Sequence, residues 1–261
     1  MGNIILHTEN ASIGYSHKKQ NTVIASNINV ALEKGKLVAV IGANGIGKST
    51  LLRTLTGIQK PLSGKILLHQ EPISGYNSLA LAKEMSVVLT EKLPPSNLSV
   101  FELVALGRQP YTNWMGKLSS DDETKIDEAI ALAQIRHLVD KKYYEISDGQ
   151  LQKVLIARAL AQDTPLIILD EPTTHLDLLH KVSLFKLLKK LTVDTGKCIL
   201  FSTHDIDLAI QLSDEMLVMT AGKVIQDSPS ELIAKGVFDT LFSDENLFFD
   251  NSKGKFIFRN L

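Results

Sequence analysis

LVAVIGANGIGKSTLLRTLTG, residues 37–57, sets the fold of this chain. An apolar strand over Lys36–Ile41 runs straight into a glycine-rich turn. STLLRTLTG then reads as a helix ending at Gly57. GANGIGKST, residues 42–50, fits G-x-x-x-x-G-K-[ST] in full, between a strand and a helix as that motif requires. Gly42, Gly45 and Gly47 let backbone N–H groups curl around phosphate oxygens without Cβ clashes. Lys48 adds a positive charge for the β- and γ-phosphates, and the Ser49 hydroxyl suits Mg²⁺.

LIILDE, residues 166–171, is an apolar run ending in two carboxylates. Its apolar residues face both sides, as in a covered parallel strand. Taken alone, such a run is as often a strand leaving the core. Downstream of a phosphate loop, Asp170 at the tip suits Mg²⁺ through water, and Glu171 suits a general base for a hydrolytic water.

YEISDGQLQKVLIARALAQ, residues 144–162, opens a second helix at which an anion could sit. Leu151, Val154, Leu155, Ala157, Leu160 and Ala161 recur at helical spacing, Ser147 is a good N-cap, and Gly149 admits close approach to the first N–H groups. One chain thus offers two phosphate-binding starts about a hundred residues apart.

Composition limits the function classes. A chain of 261 residues with 44% hydrophobic content suffices for one large domain. The net charge is −1, and no dense Lys/Arg block suggests nucleic acid as partner. Cys198, the one cysteine, sits in an apolar run and reads as a buried small hydrophobe, so neither a disulfide framework nor a cysteine metal site is expected. The first residues do not have the pattern of a signal peptide, and no apolar stretch reaches membrane-spanning length. The expectation is a soluble chain that meets a membrane only through a partner.

Strands are expected at Ile4–Thr8, Val23–Leu32, Gly64–His69, Met85–Thr90, Pro165–Asp170, Lys197–Ser202, Glu215–Thr220 and Lys223–Gln226. Helical periods dominate between Leu93 and Ala161, where SSDDETKIDEAIALAQ has capping and acidic residues in its first turn. The boundaries read as an α/β core over 1–92 and 162–236, a helical insert over 93–161, and a C-terminal hairpin over 237–261. That hairpin turns at Asn251-Ser252-Lys253-Gly254.

GxNGxGKST, the helical insert, SxGQ opening a helix, LILDEPTxxLD and a late STHD occur in that order, and nearly the whole chain resembles the ATP-binding subunit of an ABC transporter. The resemblance implies a P-loop NTPase (RecA-like) α/β core with an antiparallel β subdomain and an inserted α-helical subdomain. It implies ATP and Mg²⁺ as cofactors, with Asn44 and Thr50 joining the phosphate loop. It assigns Ser147, Gly149 and Gln150 to the family signature, Asp177 to the loop that crosses the dimer, and His204 to the γ-phosphate switch, which makes Lys48, Glu171 and His204 the catalytic set. Tyr15 would stack on adenine, or be an ordinary strand aromatic. His204 could instead cap a helix starting near Asp205, and Asp177 could be a simple N-cap. In a head-to-tail homodimer each signature helix would face the other copy's nucleotide.

Two positions depart from the family pattern. Glu91 stands where a Gln links Mg²⁺ to the insert, with Thr90 as the alternative register. A carboxylate can ligate Mg²⁺, but an ionised one cannot donate a hydrogen bond. Asp148 replaces a signature glycine, and its side chain is expected to point away from the nucleotide.

FELVALGRQPYTNWMGKLSSDDETKIDEAI is similar to the insert of ATPases serving iron-siderophore, haem and cobalamin importers. That puts iron-chelate uptake first and vitamin B12 second. The partners implied are two integral membrane permease subunits, docked around Glu91–Pro95 and Val100–Gly107, and indirectly a substrate-binding protein. The place implied is the cytoplasmic face of the inner (cell) membrane. The competing classes are a soluble ABC ATPase acting on DNA or the ribosome, a P-loop kinase or GTPase, and a nucleotide-binding module without hydrolysis.

Overall fold

The computed structural model describes residues 3–17, 20–89, 94–241, 247–250 and 254–258. The chain opens with β1 (Ile4–His17), β2 (Gln20–Ile28) and β3 (Ala31–Glu33), followed by β4 (Leu37–Gly42) and α1 (Lys48–Leu55). β5 (Ser63–Leu68), β6 (Glu71–Pro72), α2 (Ser78–Glu84) and β7 (Met85–Val88) follow. Three helices come next: α3 (Val100–Ala105), α4 (Ser120–Leu132) and α5 (Asp148–Ala161). The chain then returns to alternation with β8 (Leu166–Leu169), α6 (Leu178–Thr195), β9 (Cys198–Ser202) and α7 (Ile206–Leu212). It ends with β10 (Glu215–Thr220), β11 (Lys223–Asp227), α8 (Pro229–Ala234), β12 (Leu247–Asp250) and β13 (Lys255–Phe258).

The central sheet runs β11-β10-β4-β9-β8-β7, parallel throughout except at β11. Its central strands β4, β8 and β9 are near-continuous apolar runs because both faces are covered. Leu37, Ala39, Ile41, Ile167, Leu169, Ile199 and Phe201 pack into one core with the helices. Val38, Val40, Leu166, Ile168, Cys198 and Leu200 pack into a second core against α1 and the β1–β5 layer. Cys198 is fully buried as expected, and burial pushes its thiol up to about 12.

The second sheet is antiparallel, with order β2-β1-β5-β6 and β3 also on β1. β1 runs well past Thr8, where the sequence suggested a short strand. Asn10 adopts φ 47, and β1 shifts register against both neighbours near it, so the period-2 alternation is interrupted by a bulge while pairing resumes. α2 was not expected; seven residues capped by Asn77 are too few to show a helical period.

In the helical layer α3 and α4 both pack on α5. Arg108 is buried here, with Nε donating to Asp122 at 2.8 Å and a terminal nitrogen to the Ala161 carbonyl at 2.9 Å. β12 and β13 pair as the expected hairpin, and Phe249 stacks on Phe238 at 4.7 Å. Of the expected turn, Asn251, Ser252 and Lys253 lie outside the described residues.

Candidate functional site

The loop from Gly42 to Ser49 joins the end of β4 to the start of α1. Gly47 is the N-cap of α1 at φ 111, with no side-chain cap bond, and a Cβ there would stand 2.5 Å from Ile24 Cγ2. Only glycine fits, and the first N–H groups of α1 are left without intrahelical partners. At Gly45, φ 75, a Cβ would meet nothing within 4 Å, so the loop is open there for an anion.

Lys48 is buried. Its ammonium donates to the Gly42 carbonyl at 3.0 Å and the Ala43 carbonyl at 3.3 Å. Burial lowers its pKa, and the charges of Glu171 and Asp170 oppose that shift. Tyr15, at the far end of β1, joins its hydroxyl to Thr50 Oγ1 at 2.9 Å while 52% of the residue stays exposed. A ring tethered at its tip with its surface in solvent can receive a planar base.

The tip of β8 faces the start of α1. Ser49 Oγ donates to Asp170 Oδ1 at 3.4 Å. Ser202, the last residue of β9, donates to the same oxygen at 2.6 Å and accepts the Glu171 N–H at 2.8 Å. Glu171 adopts φ 49, a strained conformation for a residue with a side chain. Its Oε1 lies 2.5 Å from His204 Nε2, and Thr174 Oγ1 donates to Oε2 at 3.3 Å. Asp205, next to His204, accepts from Thr173 at 2.8 Å and from the Lys181 ammonium at 2.7 Å, tying this loop to α6.

The donor set fits a magnesium nucleotide: a hydroxyl and a carboxylate together are hard oxygen ligands, next to a loop built for phosphate. Glu91, and Thr90 in the alternative register, lie outside the described residues.

Ser147 caps α5 in a reciprocal box, with Gln150 N–H donating to its Oγ at 3.3 Å and Ser147 N–H donating to Gln150 Oε1 at 3.0 Å. The box occupies the Gln150 N–H, whereas those of Asp148 and Gly149 have no intrahelical partner. Asp148 is exposed. The atoms nearest a Cβ at Gly149 belong to His180 and Leu176. Asp177 caps α6 through His180 N–H at 2.9 Å. His204 does not cap α7; Asp205 holds that position, without a side-chain bond.

Sequence reasoning brought Lys48, Ser49, Asp170, Glu171 and His204 to the site but missed Ser202 and Thr174. Ser202 opens the quoted motif STHD, whereas Thr174 falls on an unspecified position of LILDEPTxxLD. A cleft of about 740 Å³ lies elsewhere, lined by residues including His7, Glu33 and Gln226, and holds none of these groups.

The ABC transporter family profile matches residues 25–174. The achromobactin transport ATP-binding protein of Dickeya dadantii is 36% identical over 233 residues, covering 89% of this chain and 85% of that protein. The iron(3+)-hydroxamate import ATP-binding protein of Bacillus subtilis is 35% identical over 238 residues, covering 91% and 87%. Among solved structures, an inward-facing metal-chelate type ABC transporter superposes with a TM-score of 0.80 at 29% identity, covering 98% of this chain and 96% of that one. With phosphate loop, paired carboxylates and capped signature helix in one chain, the protein belongs to the ABC transporter family as an ATP-binding subunit and is an ATPase.

Proposed function

We propose that this chain is the ATP-hydrolysing subunit of an importer for iron chelates, siderophore or haem, with two copies sandwiching ATP and driving two permease subunits. The observation that carries the hydrolytic part is the cluster at the sheet edge, where Ser49, Ser202 and Asp170 meet beside Glu171 and His204. Iron chelates come first because the relatives above are named for achromobactin and iron(3+)-hydroxamate. Vitamin B12, the second expectation from the sequence, is not favoured, since neither relative is named for it. No described helix is long and apolar enough to cross a membrane, so passage of the ligand falls to partner subunits. Docking on those subunits places the chain at the cytoplasmic face of the cell membrane, with a substrate-binding protein delivering the ligand.

In this reading the loop N–H groups of Gly45 and Gly47, the N–H groups of Lys48 and Ser49, and the Lys48 ammonium hold the phosphates, with Gly42 and Asn44 shaping the turn. Tyr15 takes the adenine. Ser49 and Asp170, with Glu91, would hold Mg²⁺, which would supply positive charge against the phosphate oxygens. Glu171 takes the proton from the attacking water through a carboxylate oxygen. His204, hydrogen-bonded to that carboxylate, orients it and reaches the γ-phosphate. Ser147, Gly149, Gln150 and Asp177 of one copy complete the site of the other.

Reconstitution with the permease in vesicles tests this proposal. MgATP should drive accumulation of a ferric siderophore or haem. Accumulation of cobalamin instead selects the second reading, and ATP turnover that no permease alters overturns the transport assignment.

A further inference from the structure

The signature turn and the loop before α6 meet at the His180 imidazole, with Leu176 beside it. Asp177 uses both carboxylate oxygens on one residue: Oδ1 accepts His180 N–H at 2.9 Å, and Oδ2 lies 2.8 Å from His180 Nδ1. A carboxylate only accepts, so this contact places the ring proton on Nδ1. The backbone N–H of His180, then its ring, hold the Asp177 carboxyl below the usual carboxylate range. The opposite edge of the ring lies against the other element. A Cβ at Gly149 would stand 3.1 Å from His180 Cδ2 and 3.6 Å from Cγ, with Leu176 Cδ2 also at 3.6 Å. The His180 side chain is 59% exposed, so core packing does not dictate an imidazole here.

We propose that His180 is a positioning residue, binding the Asp177 loop to the Ser147–Gln150 turn so that both are presented to a second copy as one rigid surface. The proposal rests on the composite-site reading above, in which these two segments complete the nucleotide site of the facing copy. The His180 contacts described above are to Asp177 and the Gly149 position. The residue therefore acts on dimerisation and turnover, leaving the first ATP contact alone. The tight fit at Gly149 adds a steric half to the device: the glycine admits the ring, and the ring holds the carboxylate.

His180→Ala removes both halves. His180→Asn keeps them, because its amide N–H can take the place of Nδ1–H while its oxygen takes the place of Cδ2. The experiment uses the full chain in a Glu171→Gln background. ATP-dependent dimer formation is followed by light scattering, and binding of a fluorescent ATP analogue to the monomer is measured alongside. With His180→Ala the dimer should weaken about tenfold, the size of one hydrogen bond to a charged group. Analogue binding should be unchanged, and His180→Asn should restore the dimer. Equal dimer strength in all three proteins overturns the proposal, as does an equal loss in both His180 variants. Should the Glu171→Gln parent form no ATP-dependent dimer, the composite-site reading itself has failed, and that outcome is distinct.

Discussion

Ser202 donates its hydroxyl proton to Asp170 Oδ1 at 2.6 Å from the end of the neighbouring parallel strand. The Ser202 hydroxyl oxygen in turn accepts the Glu171 N–H, so one fully buried hydroxyl orients both carboxylate residues. Ser202→Ala leaves that N–H without its partner and should cost about 1–3 kcal/mol of stability. Turnover should fall about 100-fold, as for misplaced catalytic groups, with ATP affinity nearly kept. Steady-state kinetics beside nucleotide titration checks this. A parallel loss of affinity and turnover would count against the orienting role.

Tyr15 offers a tethered ring, with its hydroxyl on Thr50. Tyr15→Ala should weaken ATP binding by about 1–3 kcal/mol, the range for a base stacked on an aromatic. Tyr15→Phe loses only the tether and should stay close to wild type. Titration with ATP and with inorganic triphosphate separates the two contributions, because only ATP should sense the ring.

Arg108 and Asp122 brace the helical layer far from the phosphate loop in sequence. The Ser119 hydroxyl and N–H, followed by the Arg108 guanidinium, lower the Asp122 carboxyl from 3.8 to about 2. A depressed carboxylate pKa adds stability that is present above the unfolded value and is lost as pH falls through the folded one. Asp122→Asn should therefore cost about 3 kcal/mol at neutral pH, as when a buried pair loses one partner. Its deficit against wild type should shrink as pH falls from about 4 towards 2. Denaturation midpoints across that range test this, and a deficit independent of pH would refute it.

Motifs with a fixed local grammar were legible in the sequence. β4, the glycine turn and α1 follow from an apolar run, φ-permissive residues and a helical repeat, all within one short segment. The Ser147 and Asp177 caps were readable for the same reason. What escaped depends on register between distant strands. Ser202 meets Asp170 only because β9 lies beside β8 with Leu169 opposite Phe201. The Asp122 partner at Arg108 sits across a loop of no regular period, and the bulge at Asn10 conceals the length of β1. Glu91 was singled out by motif position alone, and the described residues do not include it.

The proposed mechanism requires Glu171 to remove the water proton in a site shared between two copies. Glu171→Gln keeps the size of the side chain and removes its basicity. Light scattering on this variant with and without MgATP, with turnover measured in parallel, is the most direct test. The variant should be a monomer without nucleotide and a dimer holding ATP in both sites, with a loss of turnover of at least about 100-fold, as expected for a missing general base. Hydrolysis near the wild-type rate, or an ATP-loaded chain that stays monomeric, would contradict that mechanism.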